Sequence, residues 1–116
     1  MQLLVLVLNK TECLEPLMEA LLSHHLCGAT VLDSTGMLRI LDPYQEQLPI
    51  FGSLRHLFDP ERESSKTIFM VLPDAQVEVA MRVIREVTGG LDKPDTGIAF
   101  ALPTLFVEGL KGEAQK

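Results

Sequence analysis

At 116 residues the chain has the length of one domain, enough to bury a modest core. Hydrophobic residues make up 47%, within the globular range, and no apolar run approaches the ~20 residues of a membrane helix. A net charge of −6 excludes a general phosphate-backbone binder, which needs a basic face, so no nucleic-acid partner is expected.

The N-terminal run Leu3-Leu4-Val5-Leu6-Val7-Leu8 is apolar without alternation and stops at Asn9-Lys10. Its length and its stop predict a strand buried on both faces. It has no basic leader and no small-residue cleavage site, so it does not read as a signal peptide. Leu14, Leu17, Met18, Leu21, Leu22 and Leu26 follow at helical spacing. Pro16 fits only the first turn, which places the helix start near residues 13–15, and Gly28 is the expected residue just past its end. Cys13 and Cys27 flank this helix. Fourteen helical residues separate them by about 21 Å, too far for a disulfide within one chain. Two unpaired thiols suit a reducing compartment, and a cytoplasmic location is expected.

Residues 29–41 read as a β-rich run interrupted at Gly36, which marks a bulge or bend. Val31 and Asp33 share one face, and Thr30, Leu32 and Ser34 the other. Residues 42–66 form a long connection with Pro43, Pro49 and Pro60. Connections of that length in a small domain are functional or disordered, and its apolar content predicts that part of it packs. Ser53 caps one expected helical turn over residues 53–58. Asp59, Glu61 and Glu63 read as a solvated surface.

Thr67-Ile68-Phe69-Met70-Val71-Leu72 is a second apolar strand, closed by Pro73. Asp74 is the expected cap of a helix whose inner face is Val77, Ala80, Met81, Ile84 and Val87, ended by Thr88-Gly89-Gly90. Ile98, Phe100 and Leu102 alternate with Ala99 and Ala101 in a last strand, stopped by Pro103. Phe106-Val107 is expected to form a short extra strand, and residues 112–116 a polar tail. The whole chain, 1–116, is thus a single α+β domain of β-α-β-β-α-β order. That order predicts a ferredoxin-like four-stranded antiparallel sheet with two helices on one face. Two helices cover one face only, yet two strands are apolar on both, so a homo-oligomer that packs the free faces together is expected.

The sequence shows no Gly-x-Ser-x-Gly, no P-loop and no dinucleotide-binding glycine fingerprint, so it does not read as an enzyme. His24 and His25 lie about 100° apart on a helix and do not share a metal readily. No metal ligand set is assigned.

In order and spacing the chain resembles the P-II nitrogen-regulatory and signal-transduction proteins, as a divergent P-II-like branch. The resemblance covers nearly the whole chain. It rests on Gly28-x-Thr30-Val31, on Gly36-x-x-Arg39 at the base of the long connection, on Val71-Leu72-Pro73-Asp74, and on Thr88-Gly89 with its loop to Gly97-Ile98. It implies a ferredoxin-like homotrimer with sheets facing inward. It further implies an adenine nucleotide or other small anion bound at intersubunit clefts, and a loop, here 42–66, that engages an unidentified target protein. The effector-binding positions it implies are Thr30, Gly36, Arg39, Thr88, Gly89 and Lys93.

The chain departs from the pattern in three places. Leu38 stands where nucleotide binders carry a second glycine, Ile40 follows Arg39, and residues 103–108 contain no arginine where the family has a phosphate-holding pair. A triphosphate needs several cationic or N–H donors. The departures therefore point to a less charged effector, such as a nucleoside monophosphate. Tyr44, the one tyrosine, does not sit in the context where family members are modified. The alternatives are a metal-binding trimer of the divalent-cation-tolerance kind, or a structural scaffold whose pocket is lost.

Overall fold

The computed structural model describes residues 1–41 and 64–110. The helical turn expected over 53–58, Tyr44, most of the 42–66 connection and the tail 112–116 lie outside the described residues.

Four strands form one sheet: β1 (Gln2–Leu8), β2 (Thr30–Ser34), β3 (Ser65–Leu72) and β4 (Gly97–Pro103). Their order across the sheet is β2-β3-β1-β4, and every neighbouring pair is antiparallel. Among the described residues three α-helices accompany them: α1 (Leu14–Ser23), α2 (Met37–Leu41) and α3 (Asp74–Thr88). The split β-α-β order, with β1 and β3 central, is the ferredoxin-like α+β arrangement.

The core sits between the sheet and the pair α1 and α3. Leu4, Leu6 and Leu8 of β1 and Ile68, Met70 and Leu72 of β3 are buried on one face. They pack with Leu17 and Leu21 of α1 and with Ala80, Val83 and Ile84 of α3. Period-2 alternation puts Leu3, Val5, Val7, Phe69, Val71, Ile98, Phe100 and Leu102 on the other face. Leu32, Ile98, Phe100 and Leu102 are exposed there, while Val5 is shielded at the centre, in register with Phe69 and Phe100. Among the described residues, helices cover one face of the sheet and none covers the other, apolar face.

The first helix ends differently from expectation. Gly28 does not close it; His25 does, in the left-handed region with φ 63°. The Leu26 amide donates to Leu21 O and the His25 amide to Leu22 O, both at 2.9 Å. That pair of bonds is a Schellman motif, and the residue after the turn, Leu26, is buried against the helix as the motif favours. A histidine holds a position where glycine is usual. Leu22, grouped with the inner face by spacing, is exposed.

The run 29–41 is also two elements rather than one strand. β2 stops at Ser34 and the chain turns into α2. The Gly36 carbonyl accepts from the Arg39 and Ile40 amides, both at 3.2 Å, which starts the helical turn. Met, Leu and Arg are good helix formers, so the local preference agrees once the strand has lost its partner. β3 begins at Ser65, so the connection is shorter than 42–66 by its last two residues.

α3 is preceded by Pro73 in extended geometry, with no side-chain cap, and Asp74 is its first helical residue. Asp74 accepts from the N-terminal ammonium at 3.1 Å and from Gln2 Nε2 at 3.2 Å. Its charge still complements the helix dipole from inside the first turn. Phe106 and Val107 form no strand. The chain there is held instead by Thr104, whose amide and hydroxyl both donate to Met1 O.

Candidate functional site

Leu8 is in register with both Lys66 and Gly97, and Ser34 with Ser65. One end of the sheet therefore gathers the end of β1, the end of β2 and the starts of β3 and β4. α2 and the end of α3 arrive at the same end by connectivity. This corner brings together five of the six residues assigned from sequence: Gly36, Arg39, Thr88, Gly89 and Lys93. Thr30 is left out. It pairs with Phe69, four residues along β2 from Ser34, or about 13 Å away.

The corner is held by the 89–97 loop. Asn9 and Lys10 amides donate to Thr96 O at 3.0 and 3.1 Å, which fixes the loop to the end of β1. Gly97 begins β4 so close to β1 that a Cβ there would lie 2.5 Å from Val7 O. Only glycine allows that approach.

Arg39 reaches across from α2 to this loop. Its Nη2 lies 3.0 Å from both carboxylate oxygens of Asp95, and each side chain is 7% exposed. Asp95 itself has φ 54°, a left-handed conformation that aspartate tolerates better than most residues. The loop base and the Thr88–Gly97 segment are thus one connected unit, although 56 residues separate the two partners.

The end of α3 supplies the second half. Thr88 is buried, and its hydroxyl donates to Ile84 O at 2.7 Å and accepts from the Gly90 amide at 3.2 Å. Gly89 takes φ 83°, and its amide donates to Arg85 O. Lys10 Nζ donates to Thr88 O at 3.3 Å. Lys93 Nζ lies over Gly89, 3.6 Å from where a Cβ would stand. Two ammonium groups therefore flank one glycine turn at a helix C-terminus, where the dipole favours cations. Asp92 Oδ1 lies 2.6 Å from where a Cβ of Gly90 would stand. On the sheet side the corner carries hydroxyls: Ser34 Oγ lies 2.7 Å from Ser65 Oγ, and Thr67 Oγ1 donates to Ser34 Oγ at 2.8 Å.

Lys10 and Asp95 went unassigned from sequence. Lys10 reads as the polar stop of a strand, and Asp95 as one of two carboxylates in a turn-rich loop. Neither carries a local signal, because the contacts that define both come from distant segments.

Among the described residues no group of three His, Cys, Asp or Glu is placed to hold a metal ion. His24 turns its Nδ1 back to Ala20 O at 2.9 Å. Both cysteines are free, Cys13 buried and Cys27 exposed. Among the described residues no helix is long and apolar enough to cross a membrane.

No protein-family model matches the chain, and no curated protein matches it either.

Proposed function

We propose that this protein is a non-enzymatic regulatory sensor of the P-II-like kind, which binds a small anionic effector and reports it through the 42–66 connection to a target protein. The observation that carries the reading is the Arg39–Asp95 pair. It joins the base of the connection to the loop that follows Thr88-Gly89, so a ligand at the second is felt at the first. Lys10, Lys93 and the Gly89 turn are the anion-holding groups in this reading. Arg39 is the relay, since its guanidinium already faces a carboxylate.

The assembly in this reading is a homotrimer with the sheets facing inward. Its support is the apolar sheet face that no described helix covers, on which Leu32, Ile98, Phe100 and Leu102 are exposed. Thr30, at the far end of β2, joins the effector site only from a neighbouring protomer. The two free cysteines, one of them exposed, suit a cytoplasmic location.

The test is a thermal-shift titration against AMP, a cyclic nucleotide, ADP, ATP and bicarbonate. A ligand that binds only the folded state adds RT ln(1 + [L]/Kd), about 2.7 kcal/mol at a hundredfold excess. The expected result is an upward shift with a ligand of low charge, lost in Lys93→Gln. No shift with any of the five removes the effector reading.

A further inference from the structure

We propose that Asp95 is an internal competitor for the effector: its carboxylate holds Arg39 in the free chain, and a small oxyanion bound at this corner displaces it. The inference rests on the effector reading above and adds how that site is held off. Three cationic side chains serve the 88–97 segment. Arg39 Nη2 lies 3.0 Å from both oxygens of Asp95. Lys10 Nζ donates to Thr88 O at 3.3 Å, and its amide donates to the carbonyl of Thr96, the residue after Asp95. Lys93 Nζ lies over Gly89. The segment's own anions are Asp92 and Asp95, and of these Asp92 is exposed while the Asp95 side chain is buried. One buried carboxylate of the chain thus occupies a guanidinium in a corner built mainly of cations.

The contact is separable from the fold around it. Thr96 is fixed by the Asn9 and Lys10 amides, and Gly97 is fixed against Val7 O, so the start of β4 is anchored by backbone alone. On the other side Lys93 and Pro94 are exposed. Asp95 sits between these stretches with φ 54°. That left-handed conformation costs an aspartate free energy, which the ion pair offsets. Once the pair opens, the reason for the conformation goes with it. Residues 91–95 therefore have two states, and the partner of Arg39 selects between them.

The internal ligand also names the class of the external one. A guanidinium takes carboxylate and phosphoryl oxygens in the same geometry. The displacing group is thus an oxyanion with two or more oxygens on one centre, bicarbonate or a phosphoryl group. Exchange of one anion for another strands no charge on Arg39, whereas loss of Asp95 with nothing in its place does. Occupancy by Asp95 sets the threshold of response. An apparent Kd equals the intrinsic value divided by the competent fraction, so a pair closed in about 99% of molecules weakens binding about a hundredfold.

The test is Asp95→Asn, which removes the charge, keeps an acceptor and suits the left-handed region at least as well. The full chain and the variant are titrated with bicarbonate, inorganic phosphate and AMP, read by thermal shift, with circular dichroism as the folding control. The expected result is that Asp95→Asn responds at a concentration at least tenfold lower than the parent, and that adding Arg39→Met abolishes the gain. The probe that gains most tells bicarbonate from a phosphoryl group. The parent chain supplies a second readout that needs no variant. At saturation, amide hydrogen exchange across residues 91–95 should speed up, where simple binding over an unchanged loop would slow it. A response in Asp95→Asn with a silent parent supports the competition and removes the effector reading for the unmodified chain. A parent that responds, with Asp95→Asn no better and exchange across 91–95 slowed, overturns the competition and leaves the effector reading standing. No response to any probe in any folded form overturns both.

Discussion

Removing one partner of the Arg39–Asp95 pair should cost far more stability than removing any other ion pair described in the chain. The difference is one of solvent. Arg39 and Asp95 are each 7% exposed, so neither is well hydrated when the other is gone. Breaking a buried pair by deleting one member typically costs about 3–5 kcal/mol, because a charge is left in a poorly solvated place. By contrast, Arg85–Glu78 and Lys66–Asp33 are largely solvated, and such pairs are worth about 0–1 kcal/mol. A loss of about 3 kcal/mol is a large share of the roughly 5–15 kcal/mol that holds a domain together. At about 4 °C per kcal/mol it lowers Tm by ~12 °C. The assay is urea unfolding of Arg39→Met, Asp95→Leu and the double variant. Two apolar replacements of similar volume leave no stranded charge, so the double variant should recover about 2 kcal/mol or more of the summed single losses. Each side chain has further interactions, so recovery is partial. Single losses under about 1 kcal/mol, or a double variant that equals the sum, would refute the claim that this pair joins the loop base to the 89–97 segment.

Four more outcomes follow from particular contacts. His25→Gly should stabilise the protein by about 1 kcal/mol in urea unfolding, since the left-handed region costs a non-glycine residue about 1–2 kcal/mol. Gly97→Ala should destabilise by about 1–3 kcal/mol, because its Cβ would press on Val7 O and force β4 off β1. Glu78 is held below its ordinary value near 4.5 by the hydrogen bond from Arg85 and then by Arg85's charge. A depressed folded value adds stability above pH 4.5 that is lost as pH falls below it. Tm measured against pH should therefore show Glu78→Gln slightly less stable than the parent at neutral pH, with the gap closing under acid. Phe100→Lys should dissociate any oligomer that packs the open sheet face, read by light scattering, and should leave the melting curve of a monomer within about 0.5 kcal/mol.

The element order and the sheet were legible in the residues because they rest on short-range patterns. Two apolar six-residue runs could only be central strands, and 3.6-residue spacing with Pro16 and Gly89 fixed two helices closely. What failed locally was the end of β2. Met37 to Leu41 continue an apolar run, and nothing in that run says that the strand has lost its neighbour at Ser34. The end of α1 failed for a related reason: Gly28 is the statistical choice for a stop, yet the Leu21–Leu26 contact selected His25 three residues earlier. The site divides the same way. Thr88 and Gly89 announce a helix end, but Asp95 gains its meaning from Arg39, and Lys10 from Thr88, across 56 and 78 residues.

The last strand shows why one layer of helices is not this fold's whole design. A self-sufficient two-layer domain places bulk toward its helices and small or polar residues toward water. β4 does the reverse. Ala99 and Ala101 lie on the helix side, in register with Leu6 and Leu4, while Ile98, Phe100 and Leu102 point away. At about 25 cal/mol per Å² of apolar surface, that orientation gives up stability in the isolated chain that a simple exchange of sides would supply. The register permits no such exchange, because shifting β4 by one residue would also move Gly97 from the one place where it clears Val7 O. The strand is therefore locked with its larger side chains outward, at the edge from which Leu105 and Phe106 project. Bulk fixed on the side that no described helix covers is explained if the surface that completes this sheet belongs to another molecule.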